Sequence, residues 1–131
     1  MPVRWYSVVV DCADMRAQSA WWAQVLGWVV AYEDDEESTI VPPHALDQAR
    51  DVPVEERGPG LCFVQVPEHK QVKNRLHLDL APRVDEDQAE AVERLVALGA
   101  TRIDVGQADD VSWVVLADPE GNEFCVLSPR D

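Results

Sequence analysis

The chain is short of basic residues and of long apolar runs. Its 131 residues include 11 Lys and Arg against 25 Asp and Glu, so the formal net charge is −14. A surface this acidic repels phosphate backbones and anionic lipid, which argues against a nucleic-acid or membrane partner. No apolar run is long enough to cross a bilayer, and the first residues lack the apolar core of a signal peptide. The charge favours a cationic ligand, or it is simply that of a solvated surface.

Cysteine is also scarce. The three cysteines are an odd number, and Cys12, Cys62 and Cys125 all lie in apolar, strand-like segments. We therefore expect free, buried thiols rather than a disulfide framework, and a reducing, cytoplasmic compartment. Hydrophobic residues at 47% and charged residues at 27% are typical of one globular domain.

The hydrophobic pattern repeats itself in the two halves of the chain. A helix is predicted between the cap residue Asp14 and Gly27, and a second between Asp85 and Gly99. The two glycines that end these helices are 72 residues apart (99 − 27), which indicates an internal repeat. Alternating apolar residues predict eight strands, at Val3–Asp11, Trp28–Tyr32, Thr39–Val41, Leu61–Val66, Arg75–Leu80, Thr101–Val105, Ser112–Ala117 and Glu123–Leu127. The sequence thus predicts a single α+β domain of two βαβββ modules, at about residues 1–67 and 73–131.

The polar stretch at residues 42–60 is predicted to be a loop. A loop of this length in a compact domain is unusual unless it has a function, and one hypothesis is a lid over a binding site.

One predicted strand carries an unusual polar face. In residues 75–80, alternation places Arg75, His77 and Asp79 on one side and the leucines on the other, where we expect them to pack on a helix. The polar side is either an exposed face with an Arg75–Asp79 ion pair or the wall of a ligand site. Similarly, Trp5 and Trp113 are interpreted either as pocket-lining residues or as core residues.

These segments resemble a known family. Residues 73–80 (Lys-Asn-Arg-Leu-His-Leu-Asp-Leu), the Ala-Leu-Gly-Ala at 97–100, the Asp-Pro-Glu-Gly-Asn turn leading into the last strand at 118–127, and the Trp-rich helix ending in Leu-Gly at 21–27 are similar to glyoxalase-like proteins. These proteins belong to the glyoxalase/bleomycin resistance/extradiol dioxygenase, or vicinal oxygen chelate, superfamily. The resemblance implies curled mixed sheets that form a cup with the helices outside, and chains that pair as homodimers.

The resemblance also implies where a metal would bind. Metal-using members take one ligand from the first and one from the last strand of each module. Here those positions fall on Ser7, on Phe63 or Gln65, on His77 and on Cys125, and the resemblance implies that all of them project from the same faces. Only His77 is a strong ligand, although Cys125 with His77 is a combination that suits Zn²⁺. The resemblance therefore implies a degenerate metal site, with His77 as its metal ligand, and the cofactor stays undetermined.

Three functions remain open at this point. One is a lyase or isomerase acting on a small oxygenated substrate, in which His77 is metal ligand or general base and Arg75 holds an oxyanion. Another is a metal-independent binder of the bleomycin-resistance type that sequesters a cationic small molecule. The third is a regulatory, partner-binding module. Residues expected to contact a ligand are Trp5, Ser7, Phe63, Gln65, Asp79, Trp113 and Cys125.

Overall fold

Two compact units make up the structure. A computed structural model describes residues 1–46, 51–104, 106–107 and 110–130 of the chain. The first unit runs from Met1 to His69 and the second from Lys70 to Asp131, so the division falls between the two predicted modules. Each unit contains one helix and one four-stranded sheet.

The first unit has the element order β-α-β-β-β. Its elements are β1 (Ser7–Cys12), α1 (Met15–Leu26), β2 (Val29–Glu33), β3 (Glu37–Val41) and β4 (Gly60–Gln65). The strand order in the sheet is β1-β4-β3-β2, with β1 parallel to β4 and the other pairs antiparallel. The predicted 42–60 loop contains two short 3₁₀ turns, at Pro43–Ala45 and Val54–Glu56, while its residues 47–50 lie outside the described part of the chain.

The second unit repeats this arrangement with shorter strands. Its elements are β5 (Leu78–Leu80), α2 (Gln88–Ala97), β6 (Thr101–Arg102), β7 (Val114–Ala117) and β8 (Glu123–Val126). The strand order is β5-β8-β7-β6, with β5 parallel to β8 and the rest antiparallel. The prediction of an α+β fold with two βαβββ modules is therefore confirmed.

The helix ends show why the sequence folds this way locally. The Asp14 carboxylate accepts a hydrogen bond from the Ala17 N–H at 3.2 Å, and α1 ends at Gly27, whose φ of 67° is left-handed. The second helix begins two residues later than predicted. Its cap is Asp87, which accepts from the Glu90 N–H at 2.8 Å, whereas Asp85 lies in the preceding turn.

Each helix covers one side of its own sheet. In the first unit, Phe63 and Ile40 are fully buried, and Ser19 of α1 forms a buried hydroxyl–hydroxyl hydrogen bond of 2.7 Å with Ser38 of β3. In the second unit, the buried residues include Phe124 and Val126 of β8, together with Ala91, Val92 and Leu95 of α2. Because side chains alternate along a strand, the odd-numbered residues of β5, β7 and β8 face away from α2.

The predicted free thiols are confirmed, since Cys12, Cys62 and Cys125 form no disulfide. Cys12 and Cys125 are buried as expected, but Cys62 is only half-buried. In the described part of the chain, no helix combines the length and apolarity needed to span a membrane.

Candidate functional site

A cleft of about 440 Å³ opens on the side of the second sheet that α2 does not cover. This volume lies within the usual range for small-molecule sites. Its apolar lining residues are Trp113, Val115 and Leu127. Its polar lining residues are Lys73, His77, Asp79, Glu123 and Cys125. A ligand in this cleft would thus meet both hydrocarbon and ionisable groups.

Strand register brings the polar residues together. Cys125 of β8 lies directly opposite Asp79 of the parallel strand β5 and opposite Val115 of the antiparallel strand β7. Three adjacent strands therefore place these three side chains in one row on the open face. His77 comes two residues before Asp79, at the position just before β5 begins.

The centre of the site is a cluster of three residues, His77, Asp79 and Cys125, called the His–Asp–Cys cluster below. The His77 Nε2 lies 3.2 Å from the Asp79 Oδ1, and both side chains are about half exposed. One potential ligand atom from each residue lies within 4.8 Å of the others. Cys125 is buried at 7% exposure, so the cluster joins one buried thiol to two accessible polar groups.

The environment of Cys125 keeps its sulfur protonated. Burial raises the pKa of the Cys125 thiol, and the negative charge of Asp79 and a hydrogen bond to it raise this pKa further. The positive charge of Lys73 opposes the increase in part. Since the thiolate is the reactive form, this cysteine is a poor nucleophile at neutral pH. Its nearby carboxylate makes it a hydrogen-bond donor instead.

Glu123 has a structural role at the edge of the cleft. Its carboxylate accepts hydrogen bonds from the Lys70 Nζ and from the Asn74 N–H, both at 3.0 Å. Burial alone would raise the pKa of Glu123, but these hydrogen bonds and the Lys70 charge lower it overall. Both oxygens are thus engaged by residues of the 70–74 segment, which they hold against β8.

Lys73 is the site residue that sequence reasoning missed. It lines the cleft and its charge acts on Cys125, whereas Arg75 is not among the described residues that line the cleft. The predicted strand at 75–80 forms only from Leu78 onwards, and Arg75 and Leu76 occupy an exposed bend. Leu76 is 85% exposed, so the expectation that it packs on a helix is wrong. The sequence contains a signal for Lys73, because alternation places it on the same side of the segment as His77 and Asp79.

The structure also places the predicted site residues of the first unit. Ser7 pairs with Gly60, and alternation from this pair places Ser7 on the open face together with Cys62. Phe63 and Gln65 are on the opposite side, because Phe63 lies opposite Ser38 and the Gln65 Oε1 accepts the Met15 N–H of α1 at 3.1 Å. Phe63 and Gln65 therefore do not lie on the same face as Ser7, and the expectation that they do is wrong. Phe63, at 0% exposure, is a core residue of its unit.

The two tryptophans differ in the same way. Trp113 lines the cleft at 40% exposure. Trp5 precedes β1 rather than lying within it, is 65% exposed, and donates its indole N–H to the Ser7 carbonyl at 3.2 Å. Of the nine predicted site residues, the cleft of the second unit brings together His77, Asp79, Trp113 and Cys125.

Comparison with known proteins agrees with this architecture. The family description of the glyoxalase-like domain matches residues 7–127, nearly the whole chain. The chain belongs to the glyoxalase-like domain family. None of the curated proteins matches its sequence. The family membership confirms the resemblance seen in the sequence, and the two βαβββ units are those of the glyoxalase/bleomycin resistance fold.

Solved structures share the fold of this glyoxalase-like protein at low sequence identity. A glyoxalase-related enzyme from Fulvimarina pelagi is 17% identical, with a TM-score of 0.64 over 93% of this chain and 85% of that one. A glyoxalase/bleomycin resistance protein/dioxygenase family enzyme from Burkholderia phytofirmans PsJN is 22% identical, with a TM-score of 0.61 over 95% and 97% of the chains. The fosfomycin resistance protein FosX from Listeria monocytogenes, complexed with Mn(II) and sulfate, is 14% identical, with a TM-score of 0.65 over 98% and 90%. These identities show a common fold alone.

The donor set of the glyoxalase-like protein tests which metal its residues fit. The described residues contain one group of three potential ligands, and it offers one imidazole, one carboxylate and one sulfur. Hard ions such as Mn²⁺ and Mg²⁺ prefer sites rich in oxygen, whereas zinc readily takes sulfur, nitrogen and a carboxylate oxygen. The cluster therefore fits zinc better than it fits a hard divalent ion.

Proposed function

We propose that this glyoxalase-like protein binds a small molecule in the cleft of its second unit and acts on it as a lyase or isomerase. The observation that supports this most directly is that apolar residues and the His–Asp–Cys cluster line one cleft. An apolar body would pack against Trp113 while an oxygen-bearing end faces the cluster. The half-exposed His77, held by Asp79 at 3.2 Å, is placed to accept a proton from such a ligand.

The charges in the cleft favour an oxygen-rich ligand over a cationic one. Asp79 and Glu123 are balanced by Lys73 and by Lys70, which pairs with Glu123 at 3.0 Å. The lysine at position 73 provides the positive group that the sequence assigned to Arg75. The net charge of −14 therefore has no local counterpart strong enough to select a cation. Sequestration of a basic drug is the less supported alternative.

Two probes separate these alternatives. Fosfomycin, for which one structural neighbour is named a resistance protein, is a small oxygenated probe, and bleomycin is a basic one. We expect isothermal titration to detect fosfomycin binding and no bleomycin binding, and Trp113→Ala to weaken the former by about tenfold. Binding of bleomycin alone would overturn the lyase or isomerase proposal in favour of sequestration. If neither probe binds, the assignment of this ligand class is wrong.

Turnover is tested with a matched pair of histidine variants. His77→Ala should abolish any conversion of a bound ligand, whereas His69→Ala, at an exposed position that does not line the cleft, should leave it unchanged. Ligand affinity should change much less than turnover in His77→Ala, because the apolar lining residues remain intact. Equal activity in both variants would remove His77 from the reaction.

We further propose that the protein works in the cytoplasm as a homodimer, with no nucleic-acid or membrane partner. The free thiols and the net charge of −14 support the compartment and the absence of polyanionic partners. The proposal of a homodimer rests on the family resemblance. Light scattering at micromolar concentration measures the mass, and a value near 14.7 kDa would contradict the dimer.

A further inference from the structure

We propose that His77, Asp79 and Cys125 form a zinc site contained entirely within the second unit. One potential donor atom from each residue lies within 4.8 Å of the other two. The site differs from the four-position pattern of metal-using relatives, because it uses Asp79, two residues after His77, and takes no ligand from the first unit. It is a three-ligand site of mixed nitrogen, oxygen and sulfur donors.

The spacing of the three donors is close to that of a tetrahedral zinc site. Zinc–ligand bonds of 2.0 to 2.3 Å place tetrahedral donors about 3.5 Å apart. The His77 Nε2 and Asp79 Oδ1 are already 3.2 Å apart. The backbone of Cys125 is paired with both neighbouring strands of β8, while the His77 and Asp79 side chains are about half exposed. The donor atoms are at most 4.8 Å apart, so tetrahedral spacing requires an approach of about 1.3 Å or less.

Charge balance also favours a divalent ion in this position. When zinc binds, the Cys125 thiol loses its proton to solvent and the sulfur becomes a thiolate ligand. Thiolate, carboxylate and neutral imidazole together carry two negative charges, which a divalent cation neutralises. The Asp79 oxygen that accepts a hydrogen bond in the metal-free protein then ligates the ion instead. Lys73, whose charge acts on Cys125, stays in the cleft lining and offsets part of this attraction.

Three protein ligands leave the fourth tetrahedral position open toward the cleft. Structural zinc sites usually have four protein ligands, whereas sites that bind a water or a substrate keep one position free. Lys73 and Trp113 line the same cleft and would face whatever occupies that position. The inference shares the cleft with the proposed function and does not depend on which small molecule binds there. It gives His77 a different role, as a ligand in the zinc-bound chain rather than as the proton acceptor of the metal-free chain.

Cobalt provides a direct test, because Co²⁺ substitutes for Zn²⁺ and shows a thiolate-to-metal charge-transfer absorption in the near ultraviolet. We expect the chelator-treated full chain to develop this band on addition of one equivalent of Co²⁺, and one equivalent of Zn²⁺ to remove it. Manganese should compete far more weakly than zinc. If no band forms at micromolar protein, or if Mn²⁺ displaces cobalt as well as Zn²⁺ does, the inference is overturned.

Matched variants assign the ligands. Cys125→Ser should remove the band, while Cys62→Ser, which alters the half-buried thiol of the first unit, should keep it. His77→Ala and Asp79→Asn change half-exposed side chains and should still fold, yet each should weaken cobalt binding by about tenfold or more. The exposed His69→Ala should bind like the unaltered chain. A band lost in Cys62→Ser but retained in Cys125→Ser would refute the assignment.

The outcome is separable from that of the proposed function. A chain that binds fosfomycin but no cobalt would refute the zinc site and leave the small-molecule proposal in place. A chain that binds cobalt with the expected ligands but binds neither fosfomycin nor bleomycin would support the zinc site and refute the small-molecule proposal.

Discussion

The two units share one topology but differ on the face that their helices leave open. In the first unit, Cys62 lies opposite Val9 and Thr39, and in the second unit, Cys125 lies opposite Asp79 and Val115. Each cysteine therefore occupies the same place in its sheet. The carboxylate beside it comes from different strands, since Cys62 donates to the Glu37 Oε2 of β3 at 3.6 Å while Asp79 belongs to β5.

This difference shows how little separates a plain sheet face from a candidate site. The residue two before Val9 is Ser7, and the residue two before Asp79 is His77. A serine and a valine in the first unit thus correspond to a histidine and an aspartate in the second. The fold provides both positions, and of the two units the second fills them with an imidazole and a carboxylate, groups that are able to ligate a metal or transfer a proton.

The helix-covered faces of the two units should be energetically equivalent, and this gives the largest expected effect. Phe63 at 0% and Phe124 at 1% exposure are core residues of the first and second units. We expect Phe63→Ala and Phe124→Ala each to lower the free energy of unfolding by about 3–5 kcal/mol, because each leaves a large cavity. Urea unfolding followed by circular dichroism measures both values.

Val96→Ala is the control for that comparison, since Val96 of α2 is 41% exposed and should lose less than about 1 kcal/mol. A loss of this small size in Phe63→Ala would mean that Phe63 is not part of the core. It would restore the sequence-based view of this residue as a ligand contact.

The fold was largely predictable from the sequence because its signals are local. Apolar periodicity, the cap residue Asp14 and the left-handed Gly27 each act within a few residues, and together they predict both βαβββ modules. The error at Arg75 and Leu76 has a different origin. Alternation continues through these residues in the sequence, but β5 pairs only from Leu78 to Leu80, and the preceding segment is held by contacts from Lys70 and Asn74 to Glu123. Such long-range contacts have no periodic signal.

Glu123 gives the next effect in size, and it belongs to the second unit alone. Its counterpart two residues before Cys62 is Gly60, where an added Cβ would meet the Ile40 carbonyl oxygen at 3.0 Å. Glu123→Gln should lower the free energy of unfolding at pH 7 by about 1–3 kcal/mol, because charge-assisted hydrogen bonds from Lys70 and Asn74 weaken.

The pH dependence of this effect has a definite sign. The pKa of Glu123 is lowered in the folded chain, so its contribution is complete above the ordinary carboxyl pKa and disappears as the pH falls through the folded value. The difference in the free energy of unfolding between Glu123→Gln and the unaltered chain should therefore become smaller as the pH falls below about 4. The exposed Glu93→Gln is the control and should show little difference at either pH. A difference for Glu123→Gln that stays constant with pH would contradict the ion pair.

The site itself was only partly predictable. His77 and Asp79 follow from alternation along one strand, and Cys125 from the family resemblance. That these three side chains meet depends on the register of β5 against β8, which a single sequence does not fix. The same limit explains Phe63 and Gln65. Their expected facing comes from the family resemblance, and a shift of one residue in the register of β1 against β4 exchanges the two faces.

The smallest expected effect is on the reactivity of the two cysteines that lie beside a carboxylate, Cys62 beside Glu37 and Cys125 beside Asp79. Burial is the main reason for the raised pKa of both Cys62 and Cys125, and the nearby carboxylate, Glu37 or Asp79, raises it further. Removing one carboxylate charge should lower the pKa of its own cysteine alone and increase its thiolate fraction. Asp79→Asn should then speed alkylation of Cys125 severalfold at pH 8, and Glu37→Gln should do the same for Cys62, as read by mass spectrometry of the labelled peptides.

Each variant is the control for the other, because the two carboxylates act on cysteines of different units. Cys12, at 0% exposure, provides a third rate that should change in neither variant. If Asp79→Asn sped both cysteines equally, general loosening of the structure would explain the result better than electrostatics. Selective changes would instead show that the two open faces use one cysteine position with separate carboxylates. The second unit then differs chiefly through His77, which adds an imidazole to a pair that both units possess.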